Sequence, residues 1–334
     1  MASAGDAYKW SVQYIVDNSR TIFGRPQKVS PRQNRGLAIS PDGKYLYAGY
    51  HHSFNNSGEV RRISIESADY DRATEALLPG VLAKALTTDD KGRVYICDTA
   101  CVVVYDAALE QRQLRIPMGV CEGVATAREA GQLVLYAADR EEGTLSRYVV
   151  QESGATVSAA TLSGFEGNGV LKVPGALDLR GVKVDAKGRI WMADLRGGKV
   201  FRVSPDGKDV KSVSVPAAVD VAIDGQRVFV SRSTERVITV LDDEVNVLGT
   251  LNVPWEELEI SPYGNNRNGA LGQIVVLPGK GFFVTNEGGQ TMGQRSTYGR
   301  IDDHSDFVRG KMYRDVFEDD NEPILRATEV ETVP

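Results

Sequence analysis

The sequence is short of the residues that most often announce chemistry: it has three cysteines and three histidines among 334 residues. Cys97, Cys101 and Cys121 are too few for a disulfide-built scaffold. They predict buried thiols, with one disulfide and one leftover thiol as the alternative. No run approaches the length of about 18 apolar residues that a membrane-spanning helix needs. The opening residues, Met-Ala-Ser-Ala-Gly-Asp, lack the apolar segment of a signal peptide. That predicts a soluble protein, cytoplasmic as written, or secreted or periplasmic if the N-terminus has been trimmed. Basic and acidic side chains number 39 and 45 and are interspersed, so the net charge of −6 argues against a nucleic-acid-binding face. There is no Gly-x-Ser-x-Gly, no His-Glu-x-x-His and no P-loop. Long helical periodicity is absent as well.

What is present is a repeat. A short apolar strand recurs as Gly36-Leu-Ala-Ile-Ser, Ala85-Leu-Thr-Thr-Asp, Gly123-Val-Ala-Thr-Ala, Gly181-Val-Lys-Val-Asp, Asp220-Val-Ala-Ile-Asp and Gln273-Ile-Val-Val-Leu. A second follows each time, as in Tyr45-Leu-Tyr-Ala, Val94-Tyr-Ile-Cys and Ile190-Trp-Met-Ala. The two are joined by Pro-Asp-Gly, Asp-Lys-Gly or Ala-Lys-Gly turns, whose glycines supply the positive φ of a hairpin. Third strands and weaker fourth strands complete most copies. Six copies, each an antiparallel four-stranded meander, predict an all-β six-bladed β-propeller. Residues 10–16 alternate and predict a strand that completes the sixth copy and closes the ring with the N-terminus. The outer part of that copy is expected at 311–317. A seven-bladed ring, drawing on 10–34 and 305–334, is the alternative. The whole of 1–334 reads as one propeller domain, with 1–9 and 322–334 as tails.

The stretches Gly181-Val-Lys-Val-Asp-Ala-Lys-Gly-Arg-Ile-Trp-Met-Ala-Asp and Ile39-Ser-Pro-Asp-Gly-Lys-Tyr-Leu-Tyr resemble NHL-repeat propellers and the senescence-marker-protein/gluconolactonase-like propellers. The second also resembles YVTN-type propellers. The resemblance covers residues 35–290 as a repeat pattern and implies the fold. Many functions share this fold, so the activity has to be argued from the site.

In such a meander the start of strand one and the end of strand two lie on one face of the disc. The insertions at 50–58, 164–179, 255–272 and 286–299 fall on that face, which marks it for binding or catalysis, or for plugging the channel. The residues preceding the first strands are Arg35, Lys84, Glu122, Arg180, Val219 and Gly272, with Asp220 one place further. The gluconolactonase resemblance implies a calcium ion held here by Glu, Asn and Asp. Three cations oppose such an ion, which needs oxygen ligands. The expectation is therefore no cofactor, with a metal at Glu122, Asp220 and Asn268 as the disfavoured alternative. The same cations suit an anion: Arg35 and Arg180 by charge-assisted pairs, Lys84 and Arg232 assisting. Asn268 and Asn286 stand in donor-rich loops suited to sugar hydroxyls. The competing structural reading is a closed salt-bridge network of Arg35, Lys84 and Arg180 with Glu122, Asp220, Asp98 and Asp194.

His51 and His52 fall on the same face and are the candidate proton-transfer groups, of which one can face the site. Loop hydrogen bonding is their structural alternative. Three functional readings follow. One is a lyase or hydrolase acting on a small anionic or sugar-acid-like substrate, without the calcium site of its look-alikes. Another is a non-catalytic propeller that binds a protein, peptide or glycan. A metal-dependent lactonase is the third. No nucleic-acid or membrane partner is expected.

Overall fold

The computed structural model describes residues 8–14, 21–22, 25–26, 32–52, 57–66, 74–233, 237–253, 270–287 and 324–329. Strand β1 (Tyr8–Tyr14) and the small pair β2 (Thr21–Ile22) and β3 (Arg25–Pro26) precede the first blade. Blade one is β4 (Arg32–Ile39), β5 (Tyr45–His52), β6 (Ser57–Ser64) and β7 (Thr74–Pro79). Blade two is β8 (Ala83–Thr88), β9 (Val94–Asp98), β10 (Cys101–Tyr105) and β11 (Arg112–Pro117). Blade three is β12 (Cys121–Glu129), β13 (Gln132–Asp139), β14 (Thr144–Ser153) and β15 (Thr156–Leu162), with a short β16 (Val170–Lys172) also on β14. Blade four is β17 (Leu179–Val184), β18 (Ile190–Asp194), β19 (Lys199–Val203) and β20 (Val210–Ser214). Blade five is β21 (Ala218–Asp224), β22 (Arg227–Arg232), β23 (Val237–Asp242) and β24 (Val247–Asn252). Blade six is β25 (Ala270–Leu277), β26 (Gly281–Glu287) and β27 (Ile324–Glu329), and β1 is its outermost strand, antiparallel to β27.

The inner strands follow one another around the axis as β4, β8, β12, β17, β21 and β25, and β25 packs back against β4. The protein is therefore a propeller of six four-stranded blades. The segment 322–334, expected as a tail, contributes β27. A single six-residue strand set apart by a long insertion carries little periodicity of its own. The outer part expected at 311–317 lies outside the described residues.

Alternation along each strand builds the core. In β18, Ile190 and Met192 pack toward blade three while Trp191 and Ala193 pack toward blade five. Six apolar clusters result, one at each interface between neighbouring blades. A strand buried on both faces has no polar side to show, which is why these runs are almost wholly apolar.

The turns between first and second strands form one face of the disc. In the Asp185-Ala-Lys-Gly-Arg turn, the Asp185 carboxylate accepts from the backbone N–H of Lys187 (2.9 Å) and Arg189 (3.0 Å). Its other oxygen accepts from Arg189 Nε (2.6 Å) and the Trp191 indole N–H (2.9 Å). Gly188 takes the positive φ of 75° that closes the turn. Arg189 Nη2 then reaches Asp243 of blade five at 3.1 Å. Blade two repeats the device: Asp89 holds Arg93 Nε (2.5 Å) and the Tyr95 hydroxyl (3.0 Å), and Arg93 Nη2 reaches Glu152 of blade three at 2.6 Å. In these two blades the polar residues of the repeat fasten the hairpin to the next blade.

The cysteines differ from the expectation of three thiols. Cys97 of β9 and Cys121 of β12 form a disulfide between blades two and three, with Cα atoms 5.3 Å apart. Cys101 is free and buried. It faces the interface with blade one, on the other side of its sheet from Cys97.

Candidate functional site at the channel mouth

The opposite face is organised by a recurring irregularity. Each inner strand breaks register with its neighbour near its first residues: between Asn34 and Gly36, Ala83 and Ala85, Cys121 and Gly123, Arg180 and Val182, Ala218 and Asp220, and Leu271 and Ile274. Arg35, Lys84 and Glu122 therefore sit inside their strands at bulges, and do not precede them. In blade four the unpaired residue is Gly181, while Arg180 keeps its place opposite Ala193. A bulge re-aims a side chain without ending the strand, and six of them circle the channel mouth.

From these positions the charged side chains of blades two to four meet. Lys84 Nζ lies 3.1 Å from Glu122 Oε1, and Arg140 Nη1 lies 3.4 Å from the same atom. Arg140 Nε is 3.2 Å from Asp178 Oδ1, at an angle that makes an ion pair but no hydrogen bond. Arg180 Nε donates to the same oxygen at 3.1 Å, and Arg196 Nε lies 3.5 Å from Oδ2. Asp178 and Glu122 are buried, at 1% and 6% exposure. Among the described residues, four cations thus surround two carboxylates.

The aspartates that end second strands do other work. Asp194 is fully buried and accepts from the backbone N–H groups of Leu177 (3.0 Å), Asp178 (2.8 Å) and Gly197 (2.9 Å). It builds the loop that presents Asp178 and Arg196. Asp98 accepts from Leu82 N–H at 3.2 Å. The expected network of Arg180 with Asp194 is corrected accordingly: Arg180 pairs with Asp178. Arg232 ends β22 at this face and donates from Nε to the Pro216 carbonyl at 3.0 Å.

Arg140, Asp178 and Arg196 were not among the sequence candidates. The available signal was a doublet: Asp178-Leu-Arg180 and Asp194-Leu-Arg196 repeat the same triplet on either side of blade four's hairpin. The register sets Leu179 opposite Asp194, which brings the two triplets side by side.

His51 and His52 do not lie in a loop. They continue β5 to its mouth end, opposite Gln33 and Arg32 of β4. Their side chains, and those of Arg35 and Asn286, lie outside the described residues, as does Asn268 entirely.

Asp220 lies deeper, fully buried at 1% exposure. Its Oδ2 accepts from Ile274 N–H at 3.0 Å, tying blade five to blade six. Oδ1 has no hydrogen-bond partner and faces Lys183 Nζ at 3.8 Å. Burial pushes its pKa up, opposed by Lys183 and the backbone N–H groups. On its far side it packs over Gly181, where any Cβ would stand 2.0 Å from Oδ1. Glu122 and Asp220 are thus both committed, one to an ammonium and a guanidinium, the other to a backbone amide and a lysine. Among the described residues no three His, Cys, Asp or Glu side chains converge as a metal centre would require. The described donors do not suit a divalent cation.

Six blades and a closed sequence of inner strands define a β-propeller, with charged side chains gathered at the channel mouth. The family described as "SMP-30/Gluconolactonase/LRE-like region" matches residues 125–234, which run from within β12 to just past the end of β22. The chain is similar to that family over about a third of its length, in blades three to five. No curated protein matches the sequence. Among solved structures, one of unknown function from Bacteroides thetaiotaomicron is 15% identical with a TM-score of 0.55, covering 96% of this chain and 76% of that one. Virginiamycin B lyase from Staphylococcus aureus, a catalytically inactive variant with quinupristin, is 10% identical with a TM-score of 0.53, covering 97% and 100%. A nidogen/laminin complex includes a chain 12% identical with a TM-score of 0.51, covering 66% and 80%. At these identities the likeness is one of fold.

Proposed function

We propose that the protein is an enzyme, of the lyase or hydrolase class, acting on a small carboxylate-bearing, sugar-acid-like substrate at the channel mouth. The observation that carries this reading is the cation cluster there: among the described residues Lys84, Arg140, Arg180 and Arg196 lie around Glu122 and Asp178. Arg140 and Arg196, 34% and 63% exposed, lie within ion-pair range of Asp178 and present positive charge to a ligand. Arginine matches a carboxylate with a planar fork of donors. His51 and His52 stand at the mouth end of β5. One of the two imidazoles would take the proton α to the bound carboxylate, or activate water on an ester or lactone. No step passes through a metal.

The test is a panel of sugar acids, their lactones and β-substituted carboxylates, followed by proton NMR. Turnover is expected for a member of the panel. Either His51→Ala or His52→Ala, and not both, should lower kcat by about 100-fold or more. No turnover across the panel, or turnover indifferent to both variants, would sink the reading.

A second reading is a non-catalytic propeller that docks a protein, peptide or glycan on this face. It rests on Leu177, which stands 58% exposed next to Asp178 on the same rim. It predicts binding without turnover and loss of that binding in Leu177→Asp.

A further inference from the structure

The channel has a second chamber, below the charged mouth. Lys183 belongs to β17, three blades from β4 in a ring of six and therefore across the axis from it. Yet Lys183 lines one cavity with Leu37 and Ile39 of β4, Leu86 of β8, and Val275 and Val276 of β25. A cavity lined by both strands therefore lies in the central channel. The cavity measures about 280 Å³ and extends to Pro41, Gly43 and Pro278 in the hairpin turns, so it reaches the face opposite the mouth.

Its walls are apolar apart from backbone, the hydroxyls of Ser40, Thr87 and Thr88, and the Lys183 ammonium. Thr88 already donates its hydroxyl to the Ile39 carbonyl at 2.7 Å, and Ser40 donates to Asp42 at 2.5 Å. The ion pair of Lys183 with Asp220 Oδ1, at 3.8 Å, is too long for a hydrogen bond. An ammonium has three protons to donate, and here the described residues give it no acceptor at hydrogen-bonding distance. A chamber with one cationic donor at its inner end and aliphatic walls leading outward suits a particular shape of ligand.

We infer that this lower chamber binds a small aliphatic carboxylate, head inward on Lys183 and chain along Leu37, Ile39, Leu86 and Val275. The site is separate from the charged mouth and independent of the activity assigned there. Apolar walls bind each added methylene at the usual gain for hydrocarbon burial, which corresponds to about fourfold in affinity per carbon.

The experiment is calorimetric titration of the full chain with butanoate, pentanoate and hexanoate, and with hexanol. Affinity is expected to rise about three- to fourfold per methylene along the acids. Lys183→Met should remove the chain-length-dependent binding of hexanoate while leaving hexanol binding. Because Asp220 loses its neighbour in that variant, a second variant fills the chamber without touching the pair: Val276→Phe should block acids and alcohol alike. Arg180→Gln at the mouth should leave hexanoate binding within about twofold. Absence of hexanoate binding, affinity independent of chain length, or binding lost in Arg180→Gln and kept in Val276→Phe would overturn the proposal.

Discussion

Asp185 and Asp178 sit at opposite faces of blade four, and each holds arginine. Asp185 receives four donors with both oxygens satisfied, and its Arg189 partner is shared with Asp243 and Glu244. Three carboxylates there, Asp185, Asp243 and Glu244, meet Arg189, Lys187, Arg202 and Lys211 across one interface between blades. Asp178 receives three guanidinium groups, of which Arg140 and Arg196 are 34% and 63% exposed. The Asp185–Arg189 pair is enclosed, at 6% and 13% side-chain exposure, and holds strands together. The more open Arg140 and Arg196 offer their charge to solvent. The two clusters use the same residue types, so charge content alone does not separate them; the exposure of the central guanidinium groups does.

The comparison can be broken most severely at the hairpin face. Asp185→Ala leaves the Trp191 indole, the Arg189 guanidinium and two backbone amides without their acceptor. It should cost about 3 kcal/mol in a urea melt, with carboxylate binding at the mouth unchanged. A loss of binding in that variant would merge the two clusters into one. Slightly smaller is Gly181→Ala, whose new Cβ would lie 2.0 Å from Asp220 Oδ1 and 2.6 Å from its Cα. Forcing blades four and five apart should cost about 2 kcal/mol. Gly249→Ala, with nothing within 4 Å of its Cβ position, is the control and should change stability by less than about 0.5 kcal/mol.

Smaller again is a pH effect. Although burial opposes it, hydrogen bonds from Trp191 and from Arg189 hold the Asp185 carboxyl below its ordinary value. A carboxyl depressed in the folded state contributes stability that is complete above the unfolded pKa of about 3.9 and is lost as pH falls through the folded value. Thermal melts of the wild type and Asp185→Asn should therefore differ at pH 7 and converge in acid. A gap independent of pH would show that the charge of Asp185 contributes nothing. The last effect is on binding, at the mouth. Glu122→Gln removes one of the two described carboxylates that the cations surround. It should tighten anion binding about threefold or more, read by calorimetry.

These faces were unequally legible in the sequence. The hairpin device recurs as Asp89-Asp-Lys-Gly-Arg-Val-Tyr and Asp185-Ala-Lys-Gly-Arg-Ile-Trp, so repetition exposed it and with it the fold. The mouth cluster occurs once and draws on three blades, and nothing repeats to mark it. Lys84, Glu122 and Arg180 were found because each stands beside a strand start. Asp178, Arg140 and Arg196 were missed because they stand on the connections between strands, where register decides who meets whom. The Cys97–Cys121 bridge escaped for a similar reason, its partners being 24 residues apart in neighbouring blades. β27 was hidden because one short strand has too few alternations to stand out from a tail.

The central claim is that the mouth is the anion site and the hairpin face is scaffold. It is tested most directly by titrating gluconate into the wild type, an Arg140→Gln/Arg180→Gln variant, and Arg189→Gln. The account predicts that the mouth variant weakens binding by about tenfold or more and loses its dependence on salt, while Arg189→Gln lowers the melting temperature and leaves Kd within about twofold. Equal affinities in the wild type and the mouth variant, or a larger loss in Arg189→Gln, would contradict it.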